Sequence, residues 1–200
     1  MRHATLLVLP AALALAACQP QSTADQAATP AADPPPAEEA VAAPAEPAPA
    51  PAAARASLAP TEGSSVAGKV EFTAVDGGIR VTGEITGLPA GGQHGFHVHE
   101  NGDCSAPDGT SAGGHFNPAS SAHGRVGEGE HHAGDSDNLS ANDQGVAAVD
   151  NLLRGATLGD GAPTDIVGRA VIVHADPDDY ATQPTGNAGA RLACGVIEAR

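Results

Sequence analysis

Apolar and polar residues alternate along several short stretches of the chain. In Val70-Glu71-Phe72-Thr73-Ala74-Val75 and Ile79-Arg80-Val81-Thr82-Gly83-Glu84-Ile85 the apolar side chains fall on one face of an extended backbone, because successive strand residues point to opposite sides. Three later runs also read as strand: Gly145-Val146-Ala147-Ala148-Val149, Ile166-Val167-Gly168-Arg169-Ala170-Val171-Ile172-Val173 and Leu192-Ala193-Cys194-Gly195-Val196-Ile197. Turn signals such as Asp76-Gly77-Gly78 and Leu88-Pro89-Ala90-Gly91-Gly92 separate the early strands. No window carries a 3.6-residue apolar stripe, so the pattern predicts an all-β antiparallel sandwich or barrel. The stretch from Asn101 to Leu139 has no period and reads as one long loop, of the kind that is either disordered or functional.

The beginning of the chain is different. Arg2 and His3 precede the apolar run Leu6 to Ala17, which is too short to span a bilayer and reads as a signal segment over residues 1–17. Its end, Leu15-Ala16-Ala17-Cys18, resembles the lipobox of bacterial lipoprotein signals, which implies a lipid on Cys18. An ordinary secretory signal with an incidental cysteine is the alternative, and both readings export the chain. Residues 18–60 are Ala, Pro and small polar residues with little to bury, so they read as a disordered tether. Extended, it would reach on the order of 100 Å. The folded domain is expected over residues 61–200, in the periplasm, with membrane contact only through the lipid on Cys18.

Charge removes whole classes of function. The chain has 24 Asp+Glu against 9 Lys+Arg, a formal net charge of −15, and its phosphate-repelling surface excludes nucleic acid. Trp is absent, so the core must come mainly from Val, Ile, Leu and Ala. With Cys18 set aside, Cys104 and Cys194 remain as an even pair, which in an exported domain reads as a disulfide. It would close about 90 residues and stabilise the fold by roughly 4–5 kcal/mol. A pair of thiolate metal ligands is the alternative, although no Cys-x-x-Cys spacing supports it.

The histidines carry the chemistry. Eight of nine lie between His94 and His174. His97 and His99 flank Val98, so a strand presents both imidazoles on one face. His115, His123 and His132, followed by Asp135, are spaced through the long Gly-rich loop, and His174 ends the run Ala170-Val171-Ile172-Val173. A donor set of imidazole and carboxylate suits zinc or copper, and the number of donors exceeds what one ion needs. His94, at odd offset from His97, is expected to face away and bond a backbone group. His131 is expected to be a solvated neighbour of His132.

Gly95-Phe96-His97-Val98-His99-Glu100, Gly114-His115-Phe116-Asn117-Pro118, His132-Ala133-Gly134-Asp135 and Gly186-Asn187-Ala188-Gly189-Ala190-Arg191-Leu192-Ala193-Cys194-Gly195-Val196-Ile197 resemble the signature blocks of copper/zinc superoxide dismutase, in order, from about Val66 to the end. The resemblance implies an eight-stranded Greek-key β-barrel, an immunoglobulin-like sandwich with long metal-binding and electrostatic loops. It implies one copper on His97, His99, His115 and His174, and one zinc on His115, His123, His132 and Asp135, with His115 as a bridging imidazolate. It implies a Cys104–Cys194 disulfide, a carboxylate at Asp178 bonding one histidine of each set, and Arg191 docking the anion with Thr185 lining the channel opposite. The implied activity is conversion of superoxide to dioxygen and hydrogen peroxide by Cu(II)/Cu(I) cycling, protecting the cell envelope. Monomer and homodimer both stay open. A metal-binding or metal-delivery protein on the same fold and a mononuclear zinc hydrolase are the other classes to separate. The segment Asp179 to Thr185 is short and has no base, so weak electrostatic steering is expected.

Overall fold

A computed structural model describes residues 53–200. The signal segment, Cys18 and most of the expected tether lie outside the described residues. Nine strands follow in order: β1 (Ala53–Pro60), β2 (Ala67–Val75), β3 (Gly78–Thr86), β4 (Gln93–His94), β5 (Phe96–His99), β6 (Leu139–Ser140), β7 (Ala147–Leu153), β8 (Ala170–His174) and β9 (Arg191–Ala199). A single 3-10 turn at Thr110–Ala112 is the one helical element among the described residues, and none is long and apolar enough to cross a membrane.

Seven strands form one antiparallel sheet in the order β5-β8-β9-β1-β2-β3-β7, and β4 pairs with β6. The β4–β6 ribbon joins the two ends of this sheet. β4 continues into β5 past Gly95, while β6 turns into β7 through a tight loop in which the Asn142 amide donates to the Val146 carbonyl at 2.9 Å. Taking β4 and β5 as one interrupted strand, the nine strands become eight, and the sheet curls into the expected all-β barrel. The alternation read from the sequence sets the faces. Val70, Phe72, Ile79, Val81 and Ile85 are buried, while Glu71, Arg80 and Thr82 between them face water.

β1 corrects the expected boundary at residue 60. It runs between β2 and β9, with Ala54, Ala56 and Leu58 buried and Arg55 and Ser57 exposed. The alternation is present, but alanine carries so little apolar signal that the strand shares the composition of the segment before it. Two other strands also differ from the pattern. In the run from Ile166 only Ala170–His174 is strand, because Gly168 sits at φ 81° and turns the chain. β7 extends through Asp150 and Asn151 to Leu153, where Arg80 on β3 pairs with Asp150 across the ladder at 2.7 Å.

β5 and β8 are buried on both faces. Phe96, Val98, Val171 and Val173 pack into the main core, and the opposite face lies beneath the long loop. Cys104 and Cys194 are joined by a disulfide, which fastens the start of that loop to β9. Ile172, Ala170 and Ala112 form a small cluster around it.

Because β1 is an interior strand, a protein beginning at Ala53 should melt in one cooperative transition. One beginning at Thr61 should not fold, since it leaves β2 and β9 unpaired. Calorimetry or urea unfolding of the two versions would separate these outcomes.

Candidate metal centre

Three chain segments meet under the long loop, and backbone hydrogen bonds fix their register. The Val98 amide donates to the Gly134 carbonyl, the Phe116 amide to the Val98 carbonyl and the Gly134 amide to the Phe116 carbonyl, each at 2.9 Å. Every member of this triangle adjoins a candidate ligand. Val98 separates His97 from His99, Phe116 follows His115, and Gly134 precedes Asp135. A Cβ at Gly134 would stand 2.2 Å from the Val98 carbonyl oxygen, so only glycine allows the closure. His174 is brought in by a register irregularity after Val173, which leaves it opposite Arg191.

The structure gathers His97, His99, His115 and His174 into one buried set, and His115, His123, His132 and Asp135 into a second, the donor atoms of each set lying within 4.8 Å of one another. Hydrogen bonds on the outer side of each ring decide which nitrogen points inward. His99 Nδ1 is 2.9 Å from the Gly113 carbonyl and His174 Nδ1 is 3.3 Å from the Gly189 carbonyl. A carbonyl only accepts, so both rings carry their proton on Nδ1 and direct an Nε2 lone pair inward. These two Nε2 atoms are 3.2 Å apart. Two facing lone pairs repel unless a cation lies between them. His97 donates from Nε2 to Asp178 Oδ2 at 2.8 Å, and its buried Nδ1 has no partner. His115 Nε2, His123 Nδ1 and His132 Nδ1 are likewise buried without a hydrogen-bond partner. Buried polar atoms are seldom left so, and of the five unsatisfied side-chain nitrogens among the described residues all but His94 Nε2 belong to the two sets. The donors therefore fit metal ions.

Two carboxylates organise the rings. Asp135 Oδ1 is 2.8 Å from His115 Nδ1, and its Oδ2 accepts from the His132 amide at 2.8 Å and lies 3.0 Å from His123 Nδ1. Burial pushes the Asp135 carboxyl up, but the three neighbouring imidazoles outweigh it and hold the group well below the usual range. Asp178 joins the two sets, since its other oxygen accepts from His123 Nε2 at 2.9 Å. It is held in turn by Asn138, whose side chain accepts from the Asp178 amide at 2.8 Å and donates to the Asp178 carbonyl at 2.9 Å. Gly186 lies so close that a Cβ there would meet Asp178 Oδ1 at 1.8 Å and His123 Nε2 at 2.6 Å. Neither Asn138 nor Gly186 carries a periodic signal in the sequence, since one acts through side-chain bonds to a distant main chain and the other by having no side chain.

The remaining candidates fall as follows. Arg191, half-buried at the start of β9, donates from Nη1 to the Gly109 carbonyl at 2.6 Å and from Nη2 to the Gly113 carbonyl at 2.5 Å. Gly113 thus serves both Arg191 and His99. Thr185 is half-buried in the segment between β8 and β9, where its carbonyl accepts from the Ala188 amide at 3.5 Å. His94 is buried with Nδ1 3.0 Å from the His174 carbonyl, and half-buried His131 bonds the His132 carbonyl at 2.8 Å.

Without metal, these surroundings pull the rings in opposite directions. Burial lowers His115 to about 4 and pushes His99 and His174 well below 6.5, helped by the neighbouring imidazoles. For His123 burial also acts downward, but the carboxylates of Asp135 and Asp178 raise it to about 9. A raised histidine stabilises the fold in full below its unfolded value near 6.5, and that contribution is lost as pH climbs through 9. The lowered histidines act oppositely, contributing in full above 6.5 and losing it as pH falls towards 4. The metal-stripped protein should therefore melt highest near pH 6.5 and lower at pH 5 and pH 9, which calorimetry on chelator-treated material would read.

The profile of the family Copper/zinc superoxide dismutase (SODC) matches residues 66–197. "Superoxide dismutase [Cu-Zn] 2" of Aquifex aeolicus is 41% identical over 145 residues, covering 71% of this chain and 84% of the relative. "Superoxide dismutase [Cu-Zn] 1" of the same organism is 38% identical, with coverage of 72% and 86%. Among solved structures, a SOD-like protein from Bacillus subtilis superimposes with a TM-score of 0.64 at 37% identity, covering 71% of this chain and 96% of that one. The clock protein EA4 superimposes at 0.65 with 42% identity, covering 74% and 94%. A barrel of this topology, two histidine-rich donor sets and relatives at this identity across most of their length lead to one conclusion: the chain belongs to the copper/zinc superoxide dismutase family of oxidoreductases.

Proposed function

We propose that His97, His99, His115 and His174 hold one copper ion and that His115, His123, His132 and Asp135 hold one zinc ion. Four inward imidazole nitrogens suit copper, and three imidazoles with a carboxylate complete a four-coordinate zinc site with no open position for hydrolytic water. The observation that carries the reading is the place of His115 in both sets, with Nδ1 beside Asp135 at 2.8 Å and Nε2 buried and unpartnered on the other side.

Copper, alternating between Cu(II) and Cu(I), would supply the electron transfer that oxidises one superoxide to dioxygen and reduces a second, with two protons, to hydrogen peroxide. The residues of the chain provide the rest. His115 can bind through both nitrogens only after losing its second proton, so Nε2 is the atom at which a proton is held and handed on. Asp178 keeps His97 and His123 in the tautomers that aim their free nitrogens inward. Arg191, fixed through two of its five N–H groups, would keep the others for an anion. Export as a lipoprotein anchored at Cys18 would place the reaction in the periplasm and protect the envelope.

Metal analysis together with superoxide consumption by the copper- and zinc-loaded protein tests the whole reading. Full metal content without turnover would favour a metal-binding role instead. Arg191→Ala should lower the rate on the order of 10- to 100-fold, within the range that local positive focusing adds to association, with both metals retained. With no base from Asp179 to Thr185, the parent rate should fall only weakly with added salt, measured over 10 to 300 mM sodium chloride.

A further inference from the structure

We infer that Gln183 is a positioning residue for the second metal set, its side-chain amide standing in for a neighbouring strand along the main chain of His123. The inference rests on the reading that this set holds zinc.

The main chain of each other ligand is held by regular backbone pairing or a turn. His97 and His99 lie in β5 against β8, and His174 closes β8. His115 bridges to His99, and His132 accepts from the Asp135 amide in a turn. His123 sits in a stretch without regular structure, and among the described residues its amide and carbonyl have no backbone partner. Gln183 satisfies both. The His123 amide donates to Gln183 Oε1 at 2.8 Å, and Gln183 Nε2 donates to the His123 carbonyl at 2.9 Å. This is the two-bond exchange of an antiparallel pair, made by a side chain 60 residues away in sequence.

The surroundings of Gln183 point the same way. Its residue is exposed, yet both amide atoms are committed, which fixes a side chain that water would otherwise leave mobile. The segment also supplies Asp178 on His123 Nε2 and Gly186 packed against that contact. The chain between β8 and β9, which has no Lys or Arg, thus braces a histidine whose own main chain finds no backbone partner.

The test uses the copper- and zinc-loaded protein. Gln183→Met keeps the volume and removes both hydrogen bonds, and Thr182→Ala alters the same segment at a side chain that bonds Asp179 and Asn187 but no ligand. Zinc release to an excess of chromogenic chelator should be about tenfold faster or more in Gln183→Met, within the range expected when a group supporting a ligand is lost. Copper retention should be unchanged, and Thr182→Ala should match the parent. In zinc-free protein loaded with cobalt(II), the tetrahedral visible bands should be altered in Gln183→Met. Equal release from Gln183→Met and parent would overturn the proposal, and so would equally fast release from both variants, which would mean general loosening of the segment. If the parent itself gives no tetrahedral cobalt spectrum and takes up no zinc, the zinc reading beneath the proposal is what fails.

Discussion

Three backbone hydrogen bonds, running Val98 to Gly134 to Phe116 and back to Val98, are the constraint on which the metal centre depends. They unite a barrel strand with two points of a loop that would otherwise sample many arrangements. Their members carry no chemistry, but each fixes an adjoining ligand to within the tolerance of a main-chain bond. The closure demands glycine at position 134, because any side chain would occupy the space of the Val98 carbonyl. The long loop can therefore be irregular along its length and still deliver His115, His132 and Asp135 with the precision of a strand.

Packing this many imidazoles and two carboxylates away from water is costly, and the hydrogen bonds around the site show how the cost is offset. Asp135 and Asp178 are both almost fully buried, at 1% and 3% exposure. Each finds partners on both of its oxygens, which is the condition under which buried charge is tolerated. The inward nitrogens of His97, His99, His115 and His174 have no carboxylate beside them. The arrangement is thus incomplete by construction: outer contacts fix the rings, and the inner lone pairs await cations. Cations bound there would relieve a repulsion that the fold itself creates, which would couple metal binding to folding.

Much of this was legible in the sequence. Alternation placed β2 and β3, a β-rich run placed most of β9, and the His-x-His pattern put two histidines on one face of β5. The missed strand, β1, shows where such reading ends: Ala54, Ala56 and Leu58 alternate correctly, but alanine is too small to stand out from an alanine-rich approach. The supporting residues were hidden for a different reason. Asn138 and Gln183 act through side-chain bonds to the main chain of distant residues, and Gly186 acts by having no side chain. None of these leaves a periodic trace.

The net charge of the domain remains to be reconciled with an anionic substrate. Residues 61–200 carry 19 acids and 7 bases, which gives −12. At physiological salt this charge is screened beyond about 8 Å, so what decides capture is the last few ångströms. There Arg191 is fixed by the carbonyls of Gly109 and Gly113, while Gly113 also holds His99. The loop carrying those carbonyls is tied by Cys104 to Cys194, three residues beyond Arg191. Arg191, proposed to dock the anion, His99 of the first set and the disulfide are therefore tied into one frame. Where long-range attraction is absent, fixed geometry around Arg191 is what the proposed docking site would offer an incoming anion.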